Sequence, residues 1–148
     1  MYLLNSKASE YMIRAMVYLS SQTNREGYIM VREISEKTDI PQPFLSKIFQ
    51  DLAKTTWIQS KKGKNGGVKL VGDTKKISLL DIINFSGGAI ERDKCIFGHK
   101  ECGAKFECSL HGKCDRLKNE IHGFLSKTTI DDFSKKWDFG INQTIISN

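Results

Sequence analysis

Trp57-Ile58-Gln59-Ser60-Lys61-Lys62-Gly63-Lys64-Asn65-Gly66-Gly67-Val68-Lys69-Leu70-Val71 is the stretch whose reading decides the fold. Residues 57–61 and 68–71 read as two strands, and Lys62 to Gly67 between them is a glycine-rich turn with the Asn-Gly hairpin signal. A phosphate-binding loop is a poor rival, because the G-x-x-x-x-G-K-[ST] pattern is absent and a strand follows instead of a helix.

What precedes the hairpin gives it meaning. Arg32 to Thr38 reads as a compact helix with Ile34 inward, Asp39-Ile40-Pro41 breaks the chain, and a second helix runs to about Lys54. Pro41 and Pro43 fall in that helix's first turn, where proline is tolerated, and Phe44, Leu45, Ile48, Phe49 and Leu52 form its expected buried side. Two short helices joined by a tight turn make a helix-turn-helix, and a basic hairpin after it makes a winged helix. In such a motif the start of the second helix lies nearest the base edges, which points to Gln42, Ser46, Lys47 and Gln50. Lys61, Lys62 and Lys64 of the wing are placed for phosphate or the minor groove, and the glycines for close backbone approach to phosphate.

Charge supports a polyanionic partner. Between Phe44 and Lys76 there are eight lysines against Asp51 and Asp73, which equals the whole net charge of +6. A lysine-rich solvated face is the bland alternative.

Outward from this unit, Asn5 or Ser6 caps a first helix with Tyr11, Met12, Ala15, Met16, Tyr18 and Leu19 at helical spacing, ended by Asn24 to Gly27. Glu10 and Arg14, four apart, read as a surface pair. Tyr28-Ile29-Met30 reads as a short strand. Ser78-Leu79-Leu80-Asp81 opens a capped helix through Phe85, stopped by Gly87-Gly88, whose Leu79, Leu80, Ile82 and Ile83 close the core. Asp115 to Leu125 carries Leu117, Ile121, Phe124 and Leu125 at helical spacing, a stripe that a second copy of the chain would cover. Thr129 caps a last helix, Ile130 to Trp137. The expected divisions are a DNA-binding domain over 1–88, a cysteine loop over 89–114 and a dimerisation helix with the C-terminal segment over 115–148.

The 148 residues suit about one domain with one core, no apolar run approaches a membrane span, and the first residues lack a signal peptide. A cytoplasmic location is expected, where clustered thiols more often bind metal than form disulfides. All four cysteines lie in Cys95-x6-Cys102-x5-Cys108-x5-Cys114, with Cys108-x2-His111 inside the last interval. Zinc knuckles favour C-x2-4-C pairs, which are missing here; gaps of five and six suit a loop around something larger than one ion. Iron-sulfur ligation leads this reading, and zinc, buried thiols and a redox disulfide stay open. No nucleophile-base pattern or cofactor fingerprint suggests an enzyme.

Several stretches together resemble the IscR, NsrR and CymR (Rrf-two) family of bacterial winged-helix regulators. They are Ser9 to Ala15, Ile40 to Ile48, Ser60 to Gly67, Ile77 to Ile83, and Phe124-Leu125 followed by Thr129. The resemblance implies a mainly α fold with a small β-hairpin wing, a long dimerisation helix, a homodimer, and a near-palindromic double-stranded DNA operator. It also implies a cluster, two-iron or four-iron, held by Cys95, Cys102 and Cys108. In IscR-like members the fourth ligand is a histidine that maps onto His111; in NsrR-like members it is a partner-subunit carboxylate that maps onto Glu10. The first gap is six residues where IscR-like members have five, and Cys114 is additional. Cys114 is read as a buried packing residue, with a fourth ligand or redox partner as alternatives, and His99 and His122 as surface residues. The expected function is an iron-sulfur-dependent transcription regulator, a repressor, sensing nitric oxide, oxygen or redox state, or iron-sulfur status. The rivals are a redox or electron-transfer iron-sulfur protein and a zinc-stabilised DNA-binding protein without sensing.

Overall fold

The computed structural model describes residues 6–22, 26–88, 94–99 and 108–135. Helix α1 (Lys7–Ser21) is the central element. Ser6, in extended backbone, caps it by accepting from the Ser9 amide at 3.2 Å, and Met12, Ile13, Ala15, Met16, Val17 and Leu19 are all buried. A fully buried aliphatic side chain contributes roughly 1.5–3 kcal/mol, so this helix alone anchors much of the core. The Arg14 guanidinium donates to the Thr38 carbonyl at the end of α2 (Val31–Thr38), and Asp39 leaves that helix in left-handed backbone with φ 53°.

Helix α3 (Gln42–Leu52) begins behind Pro41, whose carbonyl accepts from the Phe44 and Leu45 amides at 3.0 and 3.2 Å. Pro43 in its first turn removes no bond the helix needs. Leu45, Ile48, Phe49 and Leu52 are buried as the stripe requires. Phe44 is not: it is 58% exposed and meets Tyr11 edge-on at 6.0 Å, because it stands one residue, about 100° of helix turn, before Leu45. The helix also stops at Leu52, where Ala53, Lys54 and Thr55 fold into a tight turn, short of Lys54.

The wing is an antiparallel pair, β1 (Ile58–Lys61) and β2 (Gly67–Leu70), in register from Ile58 opposite Leu70 to Lys61 opposite Gly67. Residues 62–66 therefore close the hairpin, with the turn proper made by the Gly66 amide on the Gly63 carbonyl at 3.0 Å and Asn65 at φ 62°. Tyr28-Ile29-Met30 does not form the expected strand. Only Ile29 pairs, exchanging two bonds with Val68 at 2.8 and 2.9 Å, because α2 begins at Val31 and takes the chain away.

Helix α4 (Leu79–Phe85) has the expected capping box between Ser78 and Asp81 and buries Leu79, Ile82 and Ile83. Helix α5 (His111–Lys127) starts four residues earlier than its apolar spacing suggested, so His111 and Cys114 are helical. Leu110 at its N-cap makes no side-chain cap bond and Gly112 interrupts the apolar pattern, so the sequence carries no start signal there. Leu125 and Ile130 join the same core as α1, and α6 (Ile130–Ser134) packs on α1 through it. The Ile130 amide bonds the Ile77 carbonyl and the Leu79 amide bonds the Thr128 carbonyl, each at 2.9 Å. The expected continuation of the last helix to Trp137 lies outside the described residues. Mainly helical with one two-stranded hairpin, the architecture is the winged helix-turn-helix that the sequence led us to expect.

Candidate nucleic-acid interface and metal-ligand loop

Each reading element presents polar side chains on the face its core-facing stripe leaves free. On α3, Gln42, Lys47 and Gln50 are exposed and Ser46 is half-buried. The first turn of α3 has no acidic residue, so the positive end of its dipole stays uncompensated, as suits a phosphate. Lys54 binds Asp51 at 2.7 Å; that hydrogen bond and the Lys54 charge, with a smaller contribution from Lys47, hold the Asp51 carboxyl below its ordinary pKa.

On the wing, Lys61, Lys62, Lys64 and Lys69 are exposed, and among the described residues none has a carboxylate within ion-pairing distance. The Lys61 ammonium stands 5.9 Å from the centre of the Tyr28 ring, a cation–π contact that extends the basic surface to the chain before α2. Sequence reading missed Tyr28, whose only signal was an aromatic beside a strand-like pair. It also assigned the wing glycines a role the structure does not give them all. A Cβ at Gly66 would collide with the Lys61 carbonyl oxygen; one at Gly67 would collide with the Ile29 carbonyl and stand 2.9 Å from the Met30 amide nitrogen. These two are glycine because protein backbone closes on them. Gly63, at φ +88° with open space around it, is the one on the outer turn.

The cysteine loop is described at its two ends. Cys95 and Cys114 are half-buried, Cys108 is exposed, and all three are thiols outside any disulfide; Cys102 lies outside the described residues. A turn closes Cys95 to Gly98, with the Gly98 amide on the Cys95 carbonyl at 3.0 Å and Gly98 at φ 78°. At the other end the His111 amide bonds the Cys108 carbonyl at 3.1 Å, so the imidazole sits one turn from that thiol at the first position of α5. Glu10, half-buried on α1, gives one oxygen to Lys7 at 2.9 Å and the other to Arg14 at 3.8 Å, the pairing with Arg14 that its spacing predicts. His99 is exposed and His122 half-buried. Among the described residues no three His, Cys, Asp or Glu side chains converge as a metal site.

One further residue was not foreseen. Lys118, on the same α5 face as Cys114, Ile121 and Leu125, is buried. A lysine inside an i, i+4, i+7, i+11 stripe was the available signal.

A helix-turn-helix with an exposed basic hairpin and a core of helices defines the winged-helix class of DNA-binding transcription regulators. The family model for Rrf2, described as an iron-dependent transcriptional regulator, matches residues 5–136, and the chain belongs to that family. An HTH-type transcriptional regulator of Aquifex aeolicus is 35% identical over 129 residues, spanning 86% of this chain and 88% of the relative. IscR of Photobacterium profundum is 26% identical over 132 residues, 89% of this chain and 75% of its own. The fold is similar to CymR, described as the global cysteine regulator of B. subtilis, at TM-score 0.73 and 21% identity, covering 90% and 97% of the two chains. T. potens IscR matches at TM-score 0.64 and 22% identity, covering 97% and 91%. The family resemblance read from the sequence is borne out, and the relatives are regulators of transcription, not enzymes. Among the described residues no helix is long and apolar enough to cross a membrane.

Proposed function

We propose that this DNA-binding regulator is a cytoplasmic homodimeric repressor whose hold on its operator depends on an iron-sulfur cluster carried by the cysteine loop. The observation that carries the proposal is the junction of loop and helix: the thiols of Cys95 and Cys108 are outside any disulfide, and Cys108 leads within three residues into α5, which starts at His111. Thiols and an imidazole are the donor chemistry of such a centre. Cys95, Cys102 and Cys108 would hold it, with His111 as fourth ligand in preference to Glu10 of the partner subunit. His111 is favoured by the bond from its amide to the Cys108 carbonyl, which keeps the two side chains one turn apart. Bound there, the group would supply iron that reacts with nitric oxide or oxygen, and its occupancy would follow iron-sulfur supply.

The chain's own residues do the rest. Leu110 at the N-cap and Leu117 and Phe124 on α5 are exposed at seven-residue intervals, and a second copy of α5 covers them in the dimer. Gln42, Ser46, Lys47 and Gln50 then read the major groove, while Lys61, Lys62 and Lys64 hold phosphate or the minor groove. Because α5 spans the interface and begins beside the ligands, the state of the loop sets the separation of the two reading heads, which must match half-sites about one helical turn or its multiples apart.

Anaerobic purification tests this directly. Brown protein with matched iron and acid-labile sulfide is expected, His111→Ala is expected to alter the spectrum and Glu10→Ala to leave it unchanged. Colourless protein containing zinc would replace the proposal with a zinc-stabilised regulator. Operator affinity identical with and without the cluster would remove the sensing role, and the absence of specific duplex binding would favour an electron-transfer protein.

A further inference from the structure

Lys118 is the one charged side chain that is buried among the described residues, at 7% exposure. Removing an ammonium from water costs several kcal/mol unless partners compensate it, and an apolar residue would fill the same place on α5 at lower cost. Its Nζ lies 3.3 Å from Oδ1 of Asp115, itself an exposed residue, and donates to the carbonyl oxygen of Lys94 at 3.3 Å. That carbonyl belongs to the peptide leading into Cys95, so peptide geometry puts the ammonium no more than about 6 Å from the Cys95 Cα. Lys118 also stands one turn beyond Cys114 and two beyond His111, on the same side of α5.

Lys94 to His99 is therefore attached to α5 near the helix's middle, well past its first turn. We propose that Lys118 is a positioning residue that hangs the loop's first cysteine from α5 and supplies the local counter-charge for an anionic thiolate-ligated centre built on Cys95. This rests on the iron-sulfur reading of the loop. A thiolate-ligated centre carries net negative charge, and a fixed buried cation beside its first ligand favours the ligated over the empty loop. The attachment also gives the loop a grip on the part of α5 that approaches the core at Leu125.

The test compares full-length wild type with Lys118→Met, which removes charge and donor, and Lys118→Arg, which keeps both. In metal-free reduced protein, hydrogen–deuterium exchange of the peptide spanning residues 94–99 is expected to rise about tenfold in Lys118→Met, as one charge-assisted hydrogen bond is lost, and to stay near wild type in Lys118→Arg. After reconstitution with ferrous iron and sulfide, iron loss to a chelator is expected to be faster in Lys118→Met than in Lys118→Arg. Equal exchange at 94–99 in Lys118→Met and wild type overturns the attachment. Altered exchange with equal iron-loss rates overturns the counter-charge. Altered exchange in protein that takes up no iron overturns the iron-sulfur reading while leaving the attachment standing. Lys118→Gln, a neutral donor, separates hydrogen bond from charge and serves the same comparison should the methionine variant not fold.

Discussion

Replacing Gly67 by alanine should unseat the wing from the rest of the domain. Gly67 sits at φ +141°, and a Cβ there meets the Ile29 carbonyl and the Met30 amide, both backbone, so neither can swing aside. Relief requires opening the Ile29–Val68 bridge, whose two hydrogen bonds are 2.8 and 2.9 Å. At about 1 kcal/mol net for each bond, with about 1 kcal/mol more for an L residue in that backbone region, the loss is about 3 kcal/mol. For a chain of this size it corresponds to a fall in melting temperature of about 6–12 °C, read by circular dichroism. Gly63→Ala is the control: its φ is also positive, but nothing lies within 4 Å, so only the backbone strain of about 1–2 kcal/mol applies. The same pair separates folding from recognition, because Gly67→Ala should also weaken duplex binding by displacing Lys61 to Lys64. A Gly67→Ala protein that melts within about 2 °C of wild type, or no lower than Gly63→Ala, would refute the argument that backbone closure fixes this glycine.

Removing the ammonium groups of Lys62 and Lys64 together should weaken binding about equally on specific and unrelated duplexes and lower the slope of log K against log salt by about 4 for a bound dimer, two lysines from each protomer, measured by fluorescence anisotropy; an unchanged slope would place the wing away from phosphate. Leu117→Glu with Phe124→Glu should convert a dimer to a monomer by light scattering, since both side chains are already exposed on the single chain and the change disturbs no core contact. The Asp132 carboxyl is held below its ordinary 3.8 by hydrogen bonds from the Thr129 hydroxyl and backbone amide, with Lys135 adding to them. A lowered folded pKa means that this cap stabilises α6 above the ordinary value and is lost as pH falls through the folded one. Acid melts should therefore show less pH dependence below about pH 4 in Asp132→Asn than in wild type.

Elements with a repeating apolar stripe or a cap were legible in the residues. Leu45, Ile48, Phe49 and Leu52 gave α3, and Ser78 with Asp81 gave α4, because local spacing and local hydrogen bonds decide both. What was not legible depends on distant neighbours. Phe44 belongs to an apolar run and only the phase of α3 against α1 exposes it. Ile29 pairs as one residue because Val68 meets it there and α2 leaves at once. The start of α5 was missed because Leu110 offers no capping side chain. Among candidate site residues, the exposed lysines of the wing followed from composition and turn chemistry. The burial of Lys118 did not, since it rests on a carbonyl 24 positions away.

Helix α5 joins the hydrophobic core at Leu125, near its C-terminal end. Leu125 is seated among the side chains of the reading head, while His111 lies 14 residues back, about 21 Å along the axis. That makes the helix a lever with its fulcrum inside the DNA-binding unit. A tilt of about 10° about Leu125 moves the helix tip by about 4 Å, and if helix and head move as one rigid body a push of that size at the tip would turn the head by the same angle. On the proposed reading, a side-chain-sized rearrangement at the cysteines would then be large enough to shift a recognition helix by a sizeable part of a base-pair step.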